Sequence, residues 1–251
     1  MLAIWFVFMS CCAAHAYSGA EAEPECSLLL NVPALEIRLE QDGTVVLTYP
    51  VAVGAAHSRT PLGTFRVVSK VVNPIWIPPD GSRPVMPGPL NPLGSRWMGL
   101  SLPLYGIHST NTPSSVGQAV SRGCIRMLPE HAEQLFEIIT VGTLVHIVYE
   151  TIEVRLSRYH AEVYVYPDIY SMGEMSRQQV EQLLRDAGIT DAHVDKMTDF
   201  VLEHLNTTEK VCEVVWFTDY TRPHDFCHPT DGTHTCDDLA DDIALTVRNT
   251  G

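Results

Sequence analysis

Basic side chains are scarce in this chain. Its 251 residues carry 16 Lys and Arg against 30 Asp and Glu, a formal net charge of −14. Without a basic face to neutralise phosphates, the chain reads as no nucleic-acid binder. Paired C-x-x-C spacings are also missing, which removes the common structural zinc patterns. Charge of either sign is absent from residues 1–16, "MLAIWFVFMSCCAAHA". That run is too short for a comfortable transmembrane helix. It ends in the small-x-small pattern Ala14-His15-Ala16, so residues 1–16 read as a secretory signal peptide that lacks the usual basic n-region. Lipid attachment at Cys11 or Cys12 is the alternative. It is disfavoured because Phe8 or Met9, rather than Leu, stands three residues before. The expected location is periplasmic or otherwise exported.

What is present is enough for a packed core: 45% of residues are hydrophobic and 18% charged. The charge is unevenly spread. Residues 1–149 hold 10 acids and 8 bases, whereas residues 150–251 hold 20 and 8. That shift predicts two regions of different character. From Ser27 the pattern is that of strands, with Gln41-Asp42-Gly43 as the turn between two runs and a further strand in "TPLGTFRVVSKVV". Residues 73–95 contain seven of the seventeen prolines. Such a stretch is neither helix nor central strand, and a loop of this length is usually functional. It is expected to cover or border a functional site as a lid, with Trp76 and Trp97 either pinning it or lining a groove. "LPEHAEQLFEIIT" predicts a short amphipathic helix with Ala132, Leu135, Phe136 and Ile139 inward and His131 solvated. Beyond Glu150 the reading is a hairpin turning near Ser157 to His160, then two helices, the first capped by Ser176 and closed by Gly188.

Seven cysteines are present, and five remain after cleavage at Ala16: Cys26, Cys124, Cys212, Cys227 and Cys236. An odd count in an oxidising compartment leaves one thiol unpaired. Cys124 is the odd one out. Cys227 and Cys236 could close a small loop, which leaves Cys26 and Cys212 for a second bridge. The competing reading is a metal site from Cys227, His228, His234 and Cys236, with His224.

Cys124 lies sixteen residues after His108, in "VSRGCIR". Three readings compete: an inert buried thiol, zinc bound with His108 and His57, or a nucleophile. The flanking Arg122 and Arg126, and Gly123 beside the thiol, suit the third. A thiolate needs a base such as His108, positive surroundings and nearby N–H donors for an oxyanion.

The stretch "GIHSTNTPSSVGQAVSRGCIRM" resembles the signature of the L,D-transpeptidases, the YkuD or ErfK family of cell-wall enzymes. Other motifs extend the resemblance over residues 27–149. They are "YPVAVGAAHSRTPLGTF"; Asn73-Pro74-Ile75-Trp76; Pro78-Pro79; Pro87-Gly88; Asn91-Pro92-Leu93-Gly94; and Val141-Gly142-Thr143-Leu144-Val145. A family-like tail runs from Val165 to Tyr170. Two positions depart from the commonest pattern: Arg122 stands where many members have His, and Ser109 where Gly is commonest.

The resemblance implies a mostly β fold: a YkuD-like β-sandwich catalytic domain (27–149) with a short helix, followed by an acidic α/β extension (150–251). It implies that Cys124 attacks a peptidoglycan stem tetrapeptide, forms a thioester and passes the acyl group to a neighbouring stem amine, giving a 3→3 cross-link. Water or a protein amine is the alternative acceptor, and a catalytically dead wall-binding module is the alternative of another class. His108 is then the base, backbone N–H groups near Gly123 and Cys124 hold the oxyanion, and the Ser109 carbonyl orients His108. Arg126, Arg122, Tyr105, Asn111 and Ser121 organise the site or bind substrate. The resemblance implies no metal or organic cofactor and leaves the oligomeric state open.

Overall fold

A computed structural model describes residues 26–157, 159–173 and 175–217, together with the backbone of 245–247. Residues 1–16 and the segment holding His224, Cys227, His228, His234 and Cys236 lie outside the described residues. The chain divides into two units, Met1–Tyr149 and Glu150–Gly251.

The strands of the first unit are β1 (Cys26–Asn31), β2 (Glu36–Gln41), β3 (Thr44–Gly54), β4 (Gly63–Val72), β5 (Arg96–Leu100), β6 (Gly106–His108), β7 (Ala119–Ser121), β8 (Ile125–Met127) and β9 (Leu144–Val148). Among the described residues of this unit one α-helix, α1, spans Pro129–Ile138. The first apolar run holds two strands rather than one, because the chain reverses at residues 32–35, where Leu35 adopts a φ of 55°. Asp42 and Gly43, with φ of 51° and 77°, form the tight turn between β2 and β3. The Pro-rich stretch contains no strand. Its single ladder contact is an isolated antiparallel bridge between Trp76 and Val85.

The nine strands pair in the order β2-β1-β9-β4-β5-β6-β8-β3-β7, and β3 also pairs with β2. The sandwich is thus one continuous sheet folded back on itself. The eleven-residue β3 makes the closure. Its residues 44–50 pair with β2, Val51 and Ala52 pair with β8, and Val53 and Gly54 pair with β7. Leu28, Leu30, Ile37, Val51, Val53, Met98, Ile107, Ile125, Met127 and Val145 are buried. In α1, Pro129 occupies the first turn, where its missing N–H costs nothing. Ala132, Leu135, Phe136 and Ile139 are buried as expected. His131 is not solvated: it is half-buried, its ring 5.0 Å from that of Tyr49. Its spacing of four from Leu135 puts it on the inward face.

The second unit contains β10 (Ile152–Leu156), β11 (His160–Val165), α2 (Arg177–Asp186), α3 (Asp191–His204), β12 (Val211–Trp216) and β13 (Leu245–Val247). The sheet order is β12-β11-β10-β13, antiparallel throughout. Ser176 caps α2 through a reciprocal box with Gln179. Val154, Val163 and Val165 pack with Val180, Leu184, Val194, Met197 and Val201 of the helices. Cys212 is an exposed free thiol, so the expected Cys26–Cys212 bridge is not formed and Cys124 is not the single unpaired cysteine. Strand alternation explains this: Val211 and Val215 pack with the helical core, which sends Cys212 to the opposite face.

Candidate active site

β6 and β8 run parallel, with His108 in register with Arg126. Side chains in register lie on the same face of a sheet, and residues two apart share a face. Cys124 immediately precedes β8, and the alternation of that strand, continued back one step, would put it on the face that carries His108. The charge of Arg126 acts on both groups.

His108 is buried, with 4% of its surface exposed. Its Nδ1 lies 2.5 Å from the Ser109 carbonyl oxygen. A carbonyl only accepts, so Nδ1 carries the proton and Nε2 is left as the basic nitrogen. Trp97, opposite His108 on β5, stacks on the imidazole with ring centroids 5.8 Å apart. Burial dominates the electrostatics of this histidine. It pulls the pKa from 6.5 to about 4, against the opposing pull of the Ser109 carbonyl. The imidazole is neutral at neutral pH.

Cys124 is half-buried, and its Sγ lies 3.5 Å from the Leu104 carbonyl oxygen. Burial raises its pKa, and a backbone hydrogen bond from Gly106 and the Arg126 charge offset part of that rise. Both shifts favour the uncharged forms, a neutral thiol and a neutral imidazole.

The loop before Cys124 is braced from three sides. Ser121 is buried; its hydroxyl donates to the Cys124 carbonyl at 2.6 Å and accepts from the Gly123 N–H at 3.0 Å. The Ser121 carbonyl in turn accepts from Ala55 N–H at 2.9 Å and Ser58 Oγ at 3.0 Å. Gly123 has a φ of 107°, and a Cβ there would lie 2.7 Å from the Tyr105 ring. Only glycine meets both constraints.

The remaining candidate residues have partners of their own. The Gly123 N–H is engaged by Ser121 within the loop, so it is not a standing oxyanion donor. Tyr105 forms the wall against which Gly123 packs. The Asn111 amide reaches the Pro89 carbonyl at 3.5 Å, towards the Pro-rich segment. Arg122 faces the same segment. Asp80 is held below the usual carboxylate range by the Ser82 backbone and hydroxyl, and the Arg122 charge adds to this. The segment is pinned at its base by Asn91, which is fully buried. The Asn91 amide donates to the carbonyls of Pro74 at 2.7 Å and Val85 at 3.2 Å, and its oxygen accepts from Leu93 N–H at 2.9 Å. Neither Asn91 nor the stacking of Trp97 was legible in the sequence beyond their place near prolines and glycines. His57 is exposed, and among the described residues no His, Cys, Asp and Glu cluster is arranged to hold a metal.

A thiol, an oriented neutral imidazole and a glycine-bearing loop are the parts that nucleophilic acyl transfer by cysteine requires. A family model described as the L,D-transpeptidase catalytic domain, YkuD, matches residues 28–147. The chain is 41% identical over 111 residues to the L,D-transpeptidase homologue YkuD of Bacillus licheniformis, covering 44% of this chain and 58% of that protein. It is 36% identical over 120 residues to YkuD of Bacillus subtilis, covering 48% and 64% respectively. With YqjB of Bacillus subtilis it shares 39% identity over 126 residues, covering 47% and 68%. The chain belongs to the YkuD family of L,D-transpeptidases, and it spans less than two thirds of the length of the first two relatives.

Proposed function

We propose that residues 27–149 are the catalytic domain of an exported L,D-transpeptidase that cross-links peptidoglycan stems through a thioester on Cys124. What supports this reading is a buried, neutral His108, its Nδ1 held by the Ser109 carbonyl, on a strand paired in parallel with the strand that directly follows Cys124. The Cys124 thiol loses its proton to His108 Nε2 as sulfur attacks the carbonyl between the third residue and D-Ala. The Cys124 N–H takes the oxyanion in place of Gly123. The C–N bond breaks, and His108 returns the proton to the departing D-Ala amine. In the second half a neighbouring stem amine attacks the thioester, His108 accepts its proton, and the C–S bond breaks to restore the thiol. Arg126 holds the local potential positive without exchanging protons.

Intact mass after incubation with a stem tetrapeptide tests the first half: a covalent adduct on Cys124 and release of D-Ala are expected. Product analysis with an added acceptor stem tests the second half, a 3→3 dimer being expected rather than free tripeptide or a protein conjugate. Normal D-Ala release by Cys124→Ala would refute the mechanism.

A further inference from the structure

Beside the general base the first unit contains a cavity of about 410 Å³. Its wall includes Asn73, Ser95, Ser109, Thr110, Asn111 and Glu133. Ser109 belongs both to this wall and to the base, since its carbonyl holds His108 Nδ1. β8 leads from Cys124 directly into α1, which brings Glu133 to the cavity, so nucleophile and cavity are built on one continuous segment.

Two features of the wall point to a ligand. The Ser109 hydroxyl is fully buried beside Gly94, another wall residue, and has no hydrogen-bond partner. Such a group is costly to leave unmatched. Glu133 is the one ionisable side chain among the described residues of the wall. Its carboxylate is 47% exposed and is steadied by the Ser95 hydroxyl at 2.6 Å. Arg96 approaches it only to 3.9 Å, because the same guanidinium nitrogen donates to the Ser95 carbonyl at 3.0 Å. One bond uses one of about four acceptor positions of a carboxylate. A cavity with hydroxyl and amide groups, a single carboxylate and no cation in its described wall suits a ligand bearing a protonated amine.

We infer that Glu133, with Ser95 and Ser109, forms a subsite for the side-chain ammonium of the donor stem's diamino acid; this rests on the transpeptidase reading. The donor's amine does not react in the acylation step, so holding it as an ammonium costs the chemistry nothing. The acceptor's amine must be deprotonated to attack, which excludes it from the same carboxylate. Glu133 thereby selects donors with a basic third residue.

Two synthetic stem tetrapeptides test this, one with lysine at position three and one with Nε-acetyl-lysine. The wild-type protein is expected to release D-Ala from the lysine peptide with a KM about tenfold lower than from the acetylated one, a ratio in the range of charge-assisted hydrogen bonds. Glu133→Gln is expected to abolish the ratio by raising KM for the lysine peptide alone. A purely structural Glu133 would weaken both peptides alike. A second arm uses Cys124→Ala, which cannot turn the peptides over. Perturbation of the Gly94, Ser109 and Asn111 amide resonances by the lysine peptide alone is expected, and it stands even if the wild type releases no D-Ala. That arm separates failure of the subsite from failure of the reaction. An unchanged lysine preference in Glu133→Gln, or equal perturbation by both peptides, overturns the subsite.

Discussion

Acidification should separate the activity of this domain from its stability. His108 is held at a pKa of about 4, chiefly by burial. The unfolded chain takes up a proton at this site near 6.5, whereas the folded chain does not do so until about 4. Below 6.5 the unfolded state therefore binds more protons, and the stability linked to His108 falls as the pH drops from about 6.5 through about 4. At about 1.4 kcal/mol per tenfold in proton affinity, the full effect is about 3 kcal/mol, of which about 2 kcal/mol is lost between pH 7 and pH 5. At pH 5 about nine-tenths of folded His108 is still the neutral base, against about 3% for a histidine of ordinary pKa. Acylation per folded molecule should accordingly be nearly as fast at pH 5 as at pH 7. The assay is D-Ala release across this range, with urea unfolding of the wild type and His108→Gln in parallel to cancel the titration of other groups. A thirtyfold fall in acylation between pH 7 and pH 5, or an imidazole resonance titrating near 6.5, would refute the assignment of a desolvated neutral base.

Other outcomes follow from the same geometry. Because the Cys124 pKa lies above its ordinary 9.0, thiolate absorbance should be missing at pH 7 and iodoacetamide should react slowly; a thiolate signal at pH 7 would indicate an ion pair instead. Gly123→Ala forces a side chain into a left-handed backbone and against Tyr105, a strain of about 1–3 kcal/mol. Loss of acylation by at least about tenfold is expected, and an unimpaired rate would show that the loop geometry is not needed. Asn91→Ala strips the Pro74 carbonyl of its amide donor, a cost of about 1–3 kcal/mol, while the Val85 carbonyl keeps its bond from the Trp76 N–H. Faster hydrogen exchange at the Trp76 and Val85 amides is the measurement that checks it.

Much of this architecture can be read from the residue pattern, and the exceptions have physical causes. α1 was legible because Pro129 and the spacing of Ala132, Leu135 and Phe136 agree on one helix face. The reversal at residues 32–35 was hidden because β1 is buried along most of its length and so shows a continuous apolar run instead of an alternation. His108 and Cys124 stand out as a chemical pair by residue type and spacing, and His108 lies in register with Arg126, two residues after Cys124. The tasks of Ser121 and Asn91 were not legible. Each acts through hydrogen bonds to backbone atoms, which leave no mark on the partner's identity. Cys212 was misassigned because counting thiols ignores the face each occupies. Glu133 reads as one more acid on a helix until the fold sets it beside Ser95 and Ser109.

β3 pairs with β2 through its first half and with β8 and β7 through its second. The seam that closes the sheet is therefore also the bed on which the nucleophile loop rests. Were the seam to part, Gly54 would move away from Ser121, and the bonds from Ala55 and Ser58 that anchor the Ser121 carbonyl would go with it. Under the proposed mechanism, a partly opened domain could not hold Cys124 in a working position. The proposed reactivity would then be confined to molecules that are whole, and damage would silence it rather than leave it unselective.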